Sequence, residues 1–142
     1  MNRNDLGGGI KILLLRKVAR VWSIVIILMA VTIVAGALIN LVTTGSADPN
    51  SVPGYPFIEN LPVIFLFAGS TGLAIAWRNE RLGGMITVIS QLLTLPVLII
   101  HWPITRDTLQ YLVAPYGLSA AVVVPGILFL ICYAREKKLR SA

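Results

Sequence analysis

The run VWSIVIILMAVTIVAGALINLV, residues 21–42, holds no charged side chain over 22 consecutive positions. As an α-helix it extends about 33 Å, which matches a hydrocarbon core of about 30 Å. A basic stretch precedes it and the small residues Gly45-Ser46-Ala47 follow it, which is the layout of a secretory signal. The apolar run is too long for that reading, because a signal's hydrophobic region covers about 7–15 residues. Residues 21–42 are therefore read as a membrane span.

Working outward, a second uncharged stretch begins near Asn60 and runs to Trp77, and a third runs from Leu82 to Ile100. Each is close to the roughly 20 residues that a span requires. A fourth lies within Thr108–Tyr133, where Pro115 and Gly117 divide the run. Two readings stay open there: a single helix from Thr108, or a surface turn followed by a span from Tyr116 to Tyr133. The whole composition agrees, since 56% of the 142 residues are hydrophobic and 13% charged. A soluble domain carries about 25% charged residues. A disordered chain is excluded by the same excess of aliphatic residues. The expected architecture is all-α: one integral membrane four-helix bundle over residues 1–142, with spans at about 21–42, 60–77, 82–100 and 116–133.

A net charge of +6 would suggest nucleic acid if the cations formed one folded face. They fall instead between the spans: Arg3, Lys11, Arg16, Lys17 and Arg20 before the first, Arg78 and Arg81 between the second and third, and Arg135, Lys137, Lys138 and Arg140 after the fourth. Four spans put these eleven on one side and leave Arg106 alone on the other. Lys and Arg are retained on the cytoplasmic side, so both termini are expected in the cytoplasm, in a plasma (inner) membrane. Trp22, Trp77 and Tyr133 fall at the inner boundary, and Tyr55, Phe57, Trp102, Tyr111 and Tyr116 at the outer one, as interfacial belts require.

The connections read as follows. Thr43–Glu59 is rich in Gly, Pro, Asn, Asp and Ser and forms an extended outer loop. Asn60 is placed to cap the second helix, with Pro62 in its first turn, where a missing N–H costs nothing. Pro96 and Pro125 are interior to the third and fourth helices and free the carbonyls of Leu92 and Ala121. Gly7-Gly8-Gly9 reads as a flexible break. Ile10–Arg20 beyond it either extends the first helix or lies among headgroups, its cations on anionic lipid at about 1 kcal/mol each.

Polar residues within the spans are neutral and recur every four positions: Thr32, Gly36 and Asn40 in the first, Ala68, Gly72 and Ala76 in the second, Gly83, Thr87 and Gln91 in the third. Residues four apart share a helix face. Small residues there let membrane helices pack closely while Thr, Asn and Gln hydrogen-bond across. The partner of each stripe is a helix of the same chain or of another. Thr32, Asn40, Gln91 and Thr94 are the candidates for lining a neutral polar pathway.

Groups for chemistry are few. One cysteine, Cys132, excludes an intramolecular disulfide, and one histidine, His101, cannot build a bis-histidine site. The sequence has no phosphate loop, nucleophile elbow or HExxH pattern. No catalytic residue, metal ligand or cofactor is expected. No carboxylate lies mid-span, whereas a proton-coupled carrier is expected to place one near the bilayer centre; small multidrug exporters, of similar size, carry an acidic residue in their first helix.

The most distinctive local pattern is Trp77-Arg78-Asn79-Glu80-Arg81-Leu82-Gly83-Gly84. Trp77 anchors the second helix, Arg78 follows its negative C-terminus, Asn79 is placed to cap the third helix, and Glu80 stands at that helix's positive N-terminus. Gly83 and Gly84 let neighbouring helices approach. The shortness of the turn makes the two spans an antiparallel hairpin. These eight residues resemble a group of small, uncharacterised four-span prokaryotic membrane proteins with a W-R-x-E-x-x-G-G turn between spans two and three. That resemblance implies no activity, substrate or cofactor.

The leading expectation is a non-enzymatic membrane protein that serves as an accessory or interaction subunit, with a membrane-protein partner or a second copy of itself and with anionic lipid at its cytoplasmic face. A small oligomeric transporter or channel for a neutral solute is the alternative. A third reading is an enzyme or lipid-binding protein using Glu80 with Arg78 and Arg81 at headgroup level.

Overall fold

The computed structural model describes residues 3–44, 61–101 and 116–141. These form four helices: α1 (Arg3–Thr44), α2 (Leu61–Ala76), α3 (Glu80–His101) and α4 (Leu118–Ser141). The outer loop before Asn60, the Asn60 cap, Arg106 and the outer aromatics Tyr55, Phe57, Trp102 and Tyr111 lie outside the described residues.

Three of the helices are long and apolar enough to cross a membrane, over Ile12–Asn40, Glu80–Ile100 and Leu118–Lys138. In the second expected span the described helix, α2, has 16 residues, about 24 Å at 1.5 Å per residue, and it ends at Ala76, where the chain turns through Asn79. The fourth helix is described from Leu118, after a π-helical turn at Tyr116 and Gly117; residues 102–115, where its two expected starts differ, lie outside the described residues.

α1 also departs from expectation. It runs unbroken for 42 residues, straight through Gly7-Gly8-Gly9. Glycine costs a helix about 1 kcal/mol relative to alanine; it does not forbid one. The helix formers from Ile10 onward supply the nucleus, and the glycines with Arg3–Leu6 extend that helix at its N-terminal end without nucleating a new one.

α2, α3 and α4 pack on one another, and α1 lies against α2 and α4. The inward face of α1 is Ile12, Ala19, Ser23, Ile26 and Ala30, all buried. Their separations of seven, four, three and four keep them on one side of the helix. Opposite them Leu66 and Leu73 of α2 and Val122 and Phe129 of α4 complete the core. Among helices in a membrane, where lipid tails are as apolar as leucine, such packing is held by van der Waals contact and interhelical hydrogen bonds. The sequence supplies both. Thr87 Oγ1 lies 3.0 Å from the carbonyl oxygens of Gly69 in α2 and Gly83 in its own helix, and Gln91 Nε2 donates to the Phe65 carbonyl at 3.0 Å.

The stripes of the second and third spans therefore face one another within the chain. A Cβ on Gly72 would stand 2.6 Å from Thr87 Oγ1 and 2.9 Å from its backbone nitrogen; one on Gly83 would overlap the Ala76 backbone. Gly84 serves the other side of α3, where a Cβ would press on Leu130 at 2.8 Å and the Gly126 carbonyl at 3.0 Å. The first stripe does not join them: Thr32 and Gly36 are exposed, and nothing lies within 4 Å of a Cβ built on Gly36.

Candidate functional site: the charged mouth of the helix packing

The Trp77–Gly84 turn is built as its residues require. The amides of Trp77, Arg78 and Asn79 continue the hydrogen bonding of α2, donating to Ala74 and Ile75. Asn79 Oδ1 then accepts from the Leu82 amide at 3.1 Å, capping α3. The turn holds its polar side chains against α1 and α4.

Trp77 Nε1 donates to Ser23 Oγ at 2.8 Å, and Ser23 Oγ donates to the Arg20 carbonyl at 2.8 Å. The indole is thus fixed to α1. Arg81 places its guanidinium carbon 5.9 Å from the centre of the Tyr133 ring of α4, a cation–π contact. Glu80, the first residue of α3, accepts from Arg16 Nε on one oxygen and from Arg16 Nη2 at 3.0 Å on the other. The same Nη2 also donates to Glu136 Oε2 of α4. One guanidinium therefore ties three helices, with its side chain 25% exposed and those of Glu80 and Glu136 at 14% and 33%. Paired charge-assisted hydrogen bonds of this fork-to-carboxylate kind are the strong ones.

Around this triad opens a cleft of about 480 Å³ whose wall includes Arg20, Arg78, Tyr133 and Lys137. The inner-turn candidates thus separate by role. Trp77, Arg78 and Glu80 reach the cleft; Arg81 buttresses Tyr133 at its edge; Gly83 and Gly84 set the spacing to α2 and α4. Sequence reasoning placed Arg16 among the orienting cations and Tyr133 at the interface. It gave no role to Glu136 or Ser23. The available signal was that Glu136 is the one acid in an otherwise basic tail, at a position that must repay its presence.

The mid-span candidates do not converge. Gln91 and Thr94 are 2% and 1% exposed, in the interior with Ser70, Thr87 and Ser90. Thr94 Oγ1 donates to the Ser90 carbonyl at 3.0 Å, and Gln91 Oε1 is buried without a hydrogen-bond partner. Thr32 is on the outer surface of α1, its hydroxyl donating to the Leu28 carbonyl at 2.9 Å. Asn40 lies two turns further along that stripe, half-buried. The buried Cys132 sits with its Sγ 4.0 Å from the Ile12 carbonyl, filling the contact between α4 and α1. Among the described residues no cluster of three His, Cys, Asp or Glu is placed to hold a metal ion.

No curated protein and no solved structure matches the chain. Residues 9–141 match a family described as Domain of unknown function (DUF7670), a stretch that includes Arg16, the Trp77–Gly84 turn and Glu136. The chain belongs to that family of uncharacterised proteins.

Proposed function

We propose that this protein is a multi-pass inner-membrane protein, crossing the bilayer four times with both termini cytoplasmic, that acts without catalysis as an accessory or interaction subunit. The observation that carries this reading is the outward stripe of α1. Thr32 and Gly36 are small or polar positions on a helix whose exposed residues nearby are otherwise apolar and mostly large, among them Leu28, Val31, Ile33, Val34, Leu38 and Ile39. Gly36 stands about 200° around the helix from Val34 and Leu38, which line a groove against Phe67 and Ser70 of α2. The stripe therefore looks away from α2. A glycine facing lipid gains nothing for the helix, whereas a glycine facing a second helix lets the two backbones approach, with Thr and Asn bonding across. The same composition in α2 and α3 is used for that contact within the chain.

The pathway reading draws less support. Gln91 and Thr94 are enclosed between helices of one chain and Thr32 lies on its exterior, so the four polar residues do not line one route.

Purification in mild detergent at native expression tests the proposal. The account expects a complex larger than one chain, lost on Gly36→Leu while the variant still melts at the parent's temperature. Recovery of this chain alone and monomeric contradicts it.

A further inference from the structure

The charged cleft has more cations than its carboxylates neutralise. Arg16, Arg20, Arg78 and Lys137 line it together with Glu80 and Glu136. Both carboxylates are engaged by Arg16. Arg20, Arg78 and Lys137 have no ion-pair partner among the described residues. They come from three separate places, α1, the turn before α3, and α4, and converge on a cavity of about 480 Å³. That volume lies within the range of about 300–1,000 Å³ typical of small-molecule sites. The Trp77 N–H is committed to Ser23, so the indole offers the cavity a fixed apolar wall beside the cations.

We propose that this cleft binds a phosphate group, held by Arg20, Arg78 and Lys137 while Arg16 stays locked to its two acids. The chemistry is that of the residues. Guanidinium groups match phosphate oxygens as forks and lysine adds a point charge. Cations at the mouth of a helix packing attract the phosphate of an anionic lipid or a soluble phosphate alike. The triad's part is to consume the acids that would otherwise repel the ligand. This site is remote from the Gly36 stripe, and the two proposals stand or fall separately.

Native mass spectrometry of the full chain in detergent tests it, with phosphatidylglycerol, phosphatidylcholine and inorganic phosphate as probes. Three proteins are compared: the parent, Arg20→Ala/Arg78→Ala/Lys137→Ala, and a charge-matched control, Lys17→Ala/Arg135→Ala/Lys138→Ala. The proposal expects retention of phosphatidylglycerol, or of inorganic phosphate, to fall at least about tenfold in the cleft variant and less than about twofold in the control. Phosphatidylglycerol retained over phosphatidylcholine in excess inorganic phosphate identifies a lipid headgroup; its displacement by inorganic phosphate identifies a soluble ligand. Equal losses in the two variants, undiminished binding in the cleft variant, or no retention of either anion by the parent overturns the proposal. Should the triple variant fail to fold, Arg78→Gln, outside every helix, gives the same reading with a smaller loss.

Discussion

Arg16 is the residue whose role is least visible from its neighbours in sequence. It lies among five cations in the first twenty residues, and its partners are 64 and 120 positions away. No local periodicity couples such positions, so the triad appears only once the helices are packed. The turn at Trp77–Gly84 is the opposite case: its cap and close-approach glycines follow from residue chemistry and are found where the order of residues puts them. The triad gives a ranked prediction. Glu80→Gln and Glu136→Gln should both lower the melting temperature in detergent, with Glu80→Gln the more severe because Glu80 accepts two of the three hydrogen bonds. Hydrogen bonds to charged groups contribute about 1.5–3 kcal/mol, and partial exposure puts these losses at the low end or below. Equal melting temperatures for parent and Glu80→Gln would mean that the triad does not hold α1 to α3. Gly72→Ala should cost about 1–3 kcal/mol by overpacking against Thr87, while Gly36→Ala should leave the melting temperature of the isolated chain unchanged.

At the scale of elements, hydropathy located all four helices because uncharged runs are long and separated by charges. It put the end of α2 within one residue of Ala76 and broke α1 where the helix is continuous. Composition measures how apolar a segment is; where the chain turns is decided by Trp77, Arg78 and Asn79, and a triple glycine leading into strong helix formers is only a local cost. The four-residue stripes of α2 and α3 are contact faces within the chain, as their spacing suggested; the α1 stripe has the same pattern in sequence, and its Thr32 and Gly36 are exposed. Gln91 gives a prediction here. Its amide nitrogen contributes one bond to Phe65, while its buried oxygen has no partner. Interhelical bonds in membranes average about 0.6 kcal/mol, and an unsatisfied buried polar group costs about 1–3 kcal/mol. Gln91→Leu should therefore leave stability unchanged within about 1 kcal/mol or raise it, as read by thermal or denaturant unfolding in detergent. A large loss would show that the oxygen is satisfied in the membrane by a group or water that matters.

For the whole molecule, charge distribution and packing point to the same polarity. Arg16 and Arg20 of α1, Arg78 of the turn and Lys137 of α4 gather at one end of the helices, where they line a cleft, and the apolar length of α1 extends from that end past Thr32. α1 is thus bound to the rest of the chain toward one end by ionic and packed contacts and carries the exposed Thr32 and Gly36 toward the other. The most direct measurement of the central claim is site-specific photo-crosslinking in native membranes, with the probe at Ile33, beside Gly36 on α1, and at the more exposed Leu92 on α3 as the control. The account predicts a discrete crosslinked protein band from Ile33, abolished by Gly36→Leu, and only lipid adducts from Leu92. Lipid adducts alone from both positions would contradict it.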